Sequence, residues 1–184
     1  RLRTEFVQSG SATGRMSCQD PNLQNIPIKT EYGRRIRNGF VAATGFKIVA
    51  IDYSQIELRI AAGLSGDEKL TGVFKRGEDV HTATAAQVFG VPPEHVDKEM
   101  RRRAKVINFG ILYGMGVNAL RQNLQPAPGS EEARQAGGTD VSREESARYL
   151  DDYFKNFAGI ARYIAETKAS AARLGYTETL YGRR

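Results

Sequence analysis

Four side chains recur at intervals of four residues near the middle of the chain: Arg101, Lys105, Phe109 and Tyr113. On an α-helix this spacing places them along one slowly drifting stripe. Two cations followed by two aromatic rings would suit a nucleoside triphosphate, because cations pair with phosphate oxygens and a ring stacks on a sugar or base. The alternative is a solvated basic helix turn that runs into a core aromatic pair, and spacing alone leaves both interpretations open.

A single carboxylate, that of Asp52, follows the apolar segment Phe46–Ile51. The β-branched, largely apolar composition of this segment predicts a buried strand that delivers Asp52 to the edge of a cleft. Mg²⁺ takes one or two carboxylates together with phosphate oxygens, so Asp52 is a candidate metal ligand. Asp52 or Ser54 could instead cap the helix predicted over Ile56–Leu64, and that alternative stays open.

Two further titratable side chains lie near predicted helix starts. His81 lies early in a helix predicted over Asp79–Phe89, close to N-terminal backbone donors that favour anions. A lone histidine is also commonly structural or simply exposed, which is what we expect of His95. Glu57 shares a predicted helix with Arg59 and could be no more than an exposed charge.

The segment Ser9–Ile28 is polar and rich in turn-forming residues, which predicts a loop that presents side chains. Four of its residues carry forked donors suited to phosphates and to base edges in the minor groove. They are Arg15, Asn22, Gln24 and Asn25. Taken singly, these residues would be interpreted as turn formers.

The periodicity of the apolar residues predicts a mixed α/β chain whose second half is mainly helical. Ser142–Glu145 has the pattern of a capping box, which marks a helix start. The stretch from Pro126 to Gly138 is rich in proline, glycine and charge and predicts a surface loop. Further helices are predicted over Asp79–Phe89, Glu94–Tyr113 (opened by Pro92 and Pro93), Glu144–Phe154 and Ile160–Leu174.

The composition allows one globular domain or parts of two. Of the 184 residues, 40% are hydrophobic and 26% charged, which argues against a disordered chain. The net charge of +6 makes a nucleic acid or a nucleotide a plausible partner. A single cysteine, Cys18, excludes an internal disulfide and fits a cytoplasmic location, and no apolar run is long enough to span a membrane. The sequence has no Walker loop, no Cys/His metal spacing and no nucleophile elbow.

Three segments resemble motifs of the family A DNA polymerases, the bacterial DNA polymerase I type. Asp52–Arg59 (DYSQIELR) is similar to the first catalytic motif of the palm, and Arg101–Gly114 (RRRAKVINFGILYG) to the motif of the fingers helix. Thr13–Ser17 (TGRMS) together with Asp20–Pro27 (DPNLQNIP) resembles the stretch that grips the primer–template. The similarity covers nearly the whole chain apart from residues 126–140, which look like an insertion.

The resemblance implies an α+β fold that is part of a right-hand polymerase. A palm segment would occupy residues 1–66, and a mostly helical fingers subdomain residues 67–184. The implied activity is template-directed transfer of deoxynucleotides from dNTPs to a primer 3′-hydroxyl by a two-metal mechanism, with primer–template DNA and dNTP as partners. Asp52 and the Tyr53 carbonyl would hold the two Mg²⁺ ions.

The resemblance also implies roles in nucleotide binding. Arg101, Lys105 and His81 would bind the triphosphate, and Lys105 would protonate the pyrophosphate leaving group. Glu57, hydrogen-bonded to Tyr113, would exclude a ribose 2′-hydroxyl. Gln55 would also bind the nucleotide, and Phe109 would pack against the incoming sugar and base. Contacts with the primer–template would come from Arg15, Asn22, Gln24, Asn25 and Tyr113. Phe109, where some members carry tyrosine, predicts discrimination against dideoxynucleotides.

The chain is expected to be a fragment of such an enzyme. The family's second catalytic carboxylate, in a His-Asp-Glu motif, is absent, and Thr179–Arg184 has the pattern of a strand entering a glycine turn without its returning strand. We therefore expect the chain to be inactive alone. We also expect a monomer. Two other functions stay open: a non-catalytic module that binds DNA or nucleotides, and a single-subunit RNA polymerase, against which Glu57 and Phe109 weigh.

Overall fold

The computed structural model describes residues 2–11, 13–28, 30–125 and 141–184. It is mostly helical with one two-stranded sheet, which confirms the α+β class. The chain divides into two compact units, one over residues 2–52 and one over residues 53–125 and 141–184. The palm–fingers boundary expected after residue 66 stays a prediction. The loop and insertion predicted around residues 126–140 lie outside the described residues.

The first unit contains a short antiparallel hairpin and a helix. Strand β1 (Glu5–Val7) pairs with β2 (Ser17–Gln19). A 3₁₀ turn (Leu23–Asn25) and helix α1 (Glu31–Asn38) follow. The Thr30 hydroxyl caps α1 by accepting a hydrogen bond from a backbone N–H at 3.1 Å. The polar segment predicted as a loop is thus partly ordered into β2 and the 3₁₀ turn.

The buried strand predicted over Phe46–Ile51 is wrong. Its large apolar side chains, Phe46, Ile48, Val49 and Ile51, are between 66% and 93% exposed. A strand exists only where a neighbour takes up its backbone hydrogen bonds, and within the described chain the one sheet consists of β1 and β2. The apolar composition of this segment therefore marks a surface that the described residues leave uncovered.

The second unit consists of helices around one apolar core, in which Leu58, Leu70, Ile107 and Tyr153 are almost completely buried. Its helices are α2 (Ile56–Ser65), α3 (Glu68–Lys75), α4 (Val80–Phe89), α5 (Lys98–Leu112), α6 (Val117–Leu124), α7 (Arg143–Asn156) and α8 (Ala158–Leu174). Helix α4 packs against α5 and α7, and α2 packs against α8. None of the helices in the described part of the chain is long and apolar enough to cross a membrane.

Local signals in the sequence explain the ends of several helices. The Asp79 carboxylate caps α4 by accepting a hydrogen bond from the Thr82 N–H at 2.8 Å, and Gly90, with a φ of 66°, ends that helix. Ser142 and Glu145 form the predicted capping box at the start of α7. The helices predicted over 56–64, 79–89, 144–154 and 160–174 are therefore confirmed, with small differences at their ends.

The helix predicted over Glu94–Tyr113 begins later, at Lys98. Pro93–His95 instead forms a 3₁₀ turn. The Asp97 side chain accepts a hydrogen bond from the Met100 N–H at 2.7 Å, and its own backbone is extended, with a φ of −80° and a ψ of 175°. Because an N-cap residue is not itself helical, α5 cannot extend back through Asp97. The proline pair therefore opens the 3₁₀ turn and not the helix.

The last described residues form a tight turn. The Thr179 N–H donates a hydrogen bond to the Arg183 carbonyl at 2.8 Å, and Gly182 has a φ of 78°. The predicted glycine turn is thus confirmed. The strand predicted to enter it is not formed among the described residues, because residues 179–184 lie outside the β1–β2 sheet.

Asp67 joins the turn between α2 and α3 to the start of α8. This side chain is buried, and its Oδ1 accepts a hydrogen bond from the Leu70 N–H at 2.9 Å. Its Oδ2 accepts a second one from the Gly159 N–H at 2.8 Å. One carboxylate therefore satisfies N–H groups at the starts of two helices, α3 and α8. A Cβ at position 159 would lie only 2.7 Å from the Asp67 Cα, so this contact requires glycine.

Gly159→Ala is expected to lower the free energy of unfolding by about 2–3 kcal/mol, because the new Cβ forces Asp67 away from the residue 159 N–H. Urea denaturation measures the change. Gly63→Ala is the matched control, since a Cβ at that position in α2 meets no atom within 4 Å. Gly63→Ala should raise the free energy of unfolding by about 0.5–1 kcal/mol, because alanine favours a helix more than glycine does. Equal effects of the two substitutions would contradict the role of the Asp67–Gly159 contact.

Candidate active site

The predicted stripe of two cations and two rings lies on α5 and at its end. Arg101 and Lys105 are exposed, Phe109 is half-buried, and Tyr113 is 59% exposed at the C-cap. The Phe109 and Tyr113 rings are nearly parallel, with an interplanar angle of 13° and centroids 6.4 Å apart. This pair is not part of the apolar core, which argues against the interpretation of the stripe as a basic turn entering a core aromatic pair.

Arg101 makes a bidentate ion pair with Asp79. Its Nε donates to Oδ1 at 3.0 Å and its Nη2 to Oδ2 at 2.8 Å. Burial raises the pKa of the Asp79 carboxyl, but hydrogen bonds from Arg101 and Thr82 outweigh it and hold that pKa at about 2. Asp79 is thus both the cap of α4 and a carboxylate that fixes the guanidinium of α5.

Arg101, Arg102, Arg103 and Lys105 form a basic cluster on α5, and its other two arginines are also paired. Arg102 Nε donates to Glu99 Oε2 at 2.7 Å, and Arg103 Nε donates to Glu99 Oε1 at 2.9 Å. Lys105 makes no ion pair with any described residue. The three arginines of this cluster are each paired with an acidic side chain. Lys105 is therefore its one cation without an ion-pair partner among the described residues.

His81 is buried, with 3% of its surface exposed. Its Nδ1 lies 3.1 Å from the Asn108 Nδ2, and the same amide is hydrogen-bonded to the Thr84 hydroxyl. Burial is the main cause that lowers the pKa of His81 to about 4, and the nearby Arg101 and Lys105 lower it further against the opposing charge of Asp79. The imidazole is therefore neutral at pH 7, and any contact with an anion would use an N–H donor without a formal charge.

Glu57 and Tyr113 approach each other across the second unit. The Tyr113 hydroxyl lies 3.5 Å from Glu57 Oε1, which is a long hydrogen bond between the end of α5 and the first turn of α2. The predicted contact is therefore present. Glu57 is half-buried, and this contact places its carboxylate beside the Tyr113 ring of the aromatic pair.

The backbone just before α2 is strained. Ser54 and Gln55 both have positive φ, 49° and 59°, a region that non-glycine residues adopt at a cost of about 1 kcal/mol or more each. Gln55 is the N-cap residue, and its side chain makes no capping hydrogen bond. The alternative in which Asp52 or Ser54 caps α2 is therefore wrong, because the left-handed turn places Gln55 at that position instead.

Asp52 and Tyr53 are both exposed, Tyr53 to 83%. Asp52 ends the first unit on an irregular segment, not on the predicted strand, and Tyr53 opens the second unit. No three His, Cys, Asp or Glu side chains among the described residues lie close enough together to hold a metal ion. At this position the Asp52 carboxylate and the adjacent Tyr53 backbone carbonyl are oxygen donors on exposed residues.

The polar segment of the first unit is ordered by its own amides. Asn22 Oδ1 accepts a hydrogen bond from the Gln24 N–H at 3.0 Å, and Gln24 Nε2 donates to the Met16 carbonyl at 3.1 Å. Arg15 and Asn25 are exposed. The turn-forming interpretation therefore holds for Asn22 and Gln24, and their contact with nucleic acid stays a prediction.

Sequence reasoning missed three residues that organise this region: Asn108, Asp79 as the partner of Arg101, and Arg59 as a contact of the strained turn. Asn108 and Asp79 act on residues more than 20 positions away, so no local pattern reveals them. Arg59 lies only five residues after Ser54, and its Nε donates to the Ser54 carbonyl at 3.1 Å. Arg59 is the last residue of the DYSQIELR motif, but the motif does not reveal this contact, because no glycine marks the left-handed turn on which it depends.

The whole sequence, residues 1–184, matches the model of the family described as DNA polymerase family A. The chain belongs to this family. Among its relatives, the thermostable DNA polymerase I of Thermus thermophilus is 49% identical and the DNA polymerase I of Pseudomonas aeruginosa 50% identical, each over all 184 residues. This chain covers 20% and 18% of those proteins, so it spans about a fifth of the length of the curated relatives that it matches.

A solved structure of a family A relative has the same fold. It is the POL domain of Pol1 from M. smegmatis in complex with DNA primer-template and dNTP, which matches at a TM-score of 0.80 and 41% identity. The match covers 100% of this chain and 30% of that one. The resemblance to family A polymerases and the fold class are thereby confirmed, and the roles of individual residues stay predictions.

Proposed function

We propose that this chain is the nucleotide-binding part of a DNA polymerase that transfers deoxynucleotides from dNTPs to a primer 3′-hydroxyl, as directed by a template. The observation that carries the proposal is the surface of α5, where an unpaired Lys105 and the stacked pair Phe109–Tyr113 follow one another on the described chain. Relatives that are named DNA polymerase I support it. We also infer that the complete enzyme works as a cytoplasmic monomer in replication or repair.

The triphosphate would bind along the first half of α5. Lys105 offers a compact charge that suits a phosphate oxygen and a proton that the pyrophosphate leaving group can take. Arg101 can add hydrogen bonds while it stays paired with Asp79, because a guanidinium carries more N–H donors than the two used there. His81 would contribute a neutral N–H donor, as its lowered pKa implies.

The sugar and base would lie on the second half of the stripe. The half-buried Phe109 ring gives them an apolar face, and Gln55 lies at the start of the neighbouring helix α2. The Glu57 carboxylate, held near the Tyr113 hydroxyl, would occupy the space that a ribose 2′-hydroxyl needs. Deoxynucleotides are then selected because ribonucleotides clash with Glu57.

Metal binding is proposed for Asp52 and the Tyr53 carbonyl. Both are hard oxygen donors on exposed residues, which fits Mg²⁺, an ion that takes one or two carboxylates and completes its shell with phosphate oxygens and water. When bound, Mg²⁺ supplies charge neutralisation at the phosphates and lowers the pKa of the primer hydroxyl. One carboxylate does not complete a two-metal site, so we expect the chain alone to be inactive.

Contacts with primer–template DNA are proposed for the polar segment of the first unit. Its internal hydrogen bonds order the backbone around Asn22 and Gln24 before any ligand arrives, which lowers the entropy lost on binding. Arg15 and Asn25 are exposed in the same segment. A contact of Tyr113 with the primer–template is proposed as well. Such contacts to phosphates and minor-groove edges read the shape of a base pair and not its identity.

Sugar selection provides the test of this proposal. In the full-length polymerase, we expect Glu57→Ala to make ribonucleotides better substrates. The kcat/KM for an NTP, divided by the kcat/KM for the matching dNTP, should rise about a hundredfold. This factor corresponds to removing a clash of about 3 kcal/mol between Glu57 and the ribose 2′-hydroxyl. Single-nucleotide primer extension with matched NTP and dNTP measures the ratio for each enzyme.

Glu68→Ala is the matched control, since Glu68 is an exposed carboxylate in the first turn of α3. It should leave the ratio within about twofold of the original. An unsubstituted enzyme that preferred NTPs to dNTPs would favour the single-subunit RNA polymerase, and one that extended no primer would favour the non-catalytic module. An unchanged ratio in Glu57→Ala would refute the role of Glu57.

A further inference from the structure

The turn that leads into α2 holds two consecutive non-glycine residues in the left-handed region, Ser54 and Gln55. It directly follows Tyr53, whose carbonyl is the proposed metal ligand. Such backbone conformations persist only where the surrounding structure over-determines them. Some contact must therefore hold the chain in this form.

Arg59 supplies that contact, because it donates hydrogen bonds to the backbone carbonyls of both Ser54 and Gln55. Its side-chain Nε donates to the Ser54 carbonyl at 3.1 Å, and its backbone N–H donates to the Gln55 carbonyl at 3.1 Å. Any residue at position 59 could make the backbone bond as part of the helix. The bond to Ser54 requires a long side chain with a donor in the Arg59 geometry.

The Arg59 guanidinium is itself fixed from the other side. Its central carbon lies 4.6 Å from the centroid of the Phe74 ring, a cation–π contact. Phe74 belongs to α3 and packs against the buried core of the second unit. The chain of contacts therefore runs from the core through Phe74 and Arg59 to the Ser54 carbonyl.

We propose that Arg59 is a positioning residue, which holds the left-handed turn at Ser54 and Gln55 and so fixes the Tyr53 carbonyl and the Gln55 side chain relative to α2. It acts through the turn and does not touch the substrate. The consequence for catalysis rests on the function proposed above, whereas the structural role does not.

The test uses the full-length polymerase with Arg59→Ala, Arg59→Lys and Phe74→Leu. Hydrogen exchange is measured by mass spectrometry on the peptide that spans residues 53–60, without DNA, nucleotide or metal. We expect exchange to be about tenfold faster in Arg59→Ala and in Arg59→Lys, because an ammonium cannot both stack on Phe74 and reach Ser54 as the planar guanidinium does. Phe74→Leu should give a smaller increase.

Single-nucleotide extension supplies the second measurement. Both Arg59 variants should lower kcat about tenfold and leave the KM for dNTP within about threefold, since a displaced reacting group affects the transition state more than ground-state binding. Arg148→Ala, which removes an exposed arginine of α7, is the control and should change neither measurement.

Exchange in the 53–60 peptide that stays at the wild-type rate in Arg59→Ala would overturn the proposal. So would an unchanged kcat, or a KM that rises in Arg59→Ala and is restored by Arg59→Lys, since that pattern indicates a direct charge contact with a phosphate. If the unsubstituted enzyme extends no primer, the proposed function fails alone, and the exchange measurement still decides whether Arg59 holds the turn.

Discussion

Replacing Asp52 with asparagine is expected to slow primer extension by the full-length polymerase about a thousandfold or more. The substitution keeps the size of the side chain and removes the negative charge that a hard divalent cation requires. Losing about 4 kcal/mol of transition-state stabilisation corresponds to a factor of this size. Single-turnover extension, measured over a range of Mg²⁺ concentrations, tests the prediction.

Asp151→Asn is the matched control, because Asp151 is an exposed carboxylate within α7. Its extension rate should stay within about twofold of the original. Binding of primer–template DNA should be nearly unchanged in both variants, since carboxylates do not attract phosphates. Normal extension by Asp52→Asn would remove Asp52 from the catalytic site. A wild-type enzyme that binds DNA but shows no metal-dependent extension would instead be a binding module.

Replacing Lys105 with alanine is expected to lower kcat for nucleotide addition by about a hundred- to a thousandfold. A positioned general acid contributes rate factors of this order. Lys105 is exposed on α5 and has no acidic partner among the described residues, so its proton and its charge are both available to a triphosphate. Pre-steady-state addition of one nucleotide measures kcat and KM separately.

Lys105→Arg separates the two roles of that side chain. Arginine keeps the positive charge but cannot release a proton near neutral pH. We therefore expect Lys105→Arg to restore most of the dNTP affinity and little of kcat. Lys98→Ala, which removes an exposed lysine from the first turn of the same helix, is the control and should change both by less than about threefold. Full recovery of kcat in Lys105→Arg would show that charge alone is needed.

Features set by neighbouring residues could be predicted from the sequence. The capping box at Ser142, the Asp79 cap and the Gly90 stop all depend on hydrogen bonds over three or four positions, so their sequence pattern carries the whole signal. The four-residue spacing from Arg101 to Tyr113 likewise predicts which side chains share a helix face. The family resemblance then gave these residues a chemical meaning that spacing alone left open.

Features set by distant residues could not be predicted. Phe46–Ile51 has the composition of a buried strand, but a strand depends on a partner elsewhere in the chain. The burial of His81 and its contact with Asn108 depend on how α4 packs against α5, and that packing makes the imidazole neutral. The Arg101–Asp79 pair bridges the same two helices over 22 positions. In each case the missing information is a tertiary contact and not a local propensity.

The Asp67–Gly159 hydrogen bond joins residues 92 positions apart, and this separation bears on how the second unit folds. The contact cannot form until the chain beyond Gly159 has been synthesised, so the cap that Asp67 places on α8 belongs to a late folding step. Closing a flexible loop becomes harder only slowly with its length, by about 0.6 kcal/mol for each doubling. A contact over 92 positions is therefore only slightly more costly to close than one over half that separation.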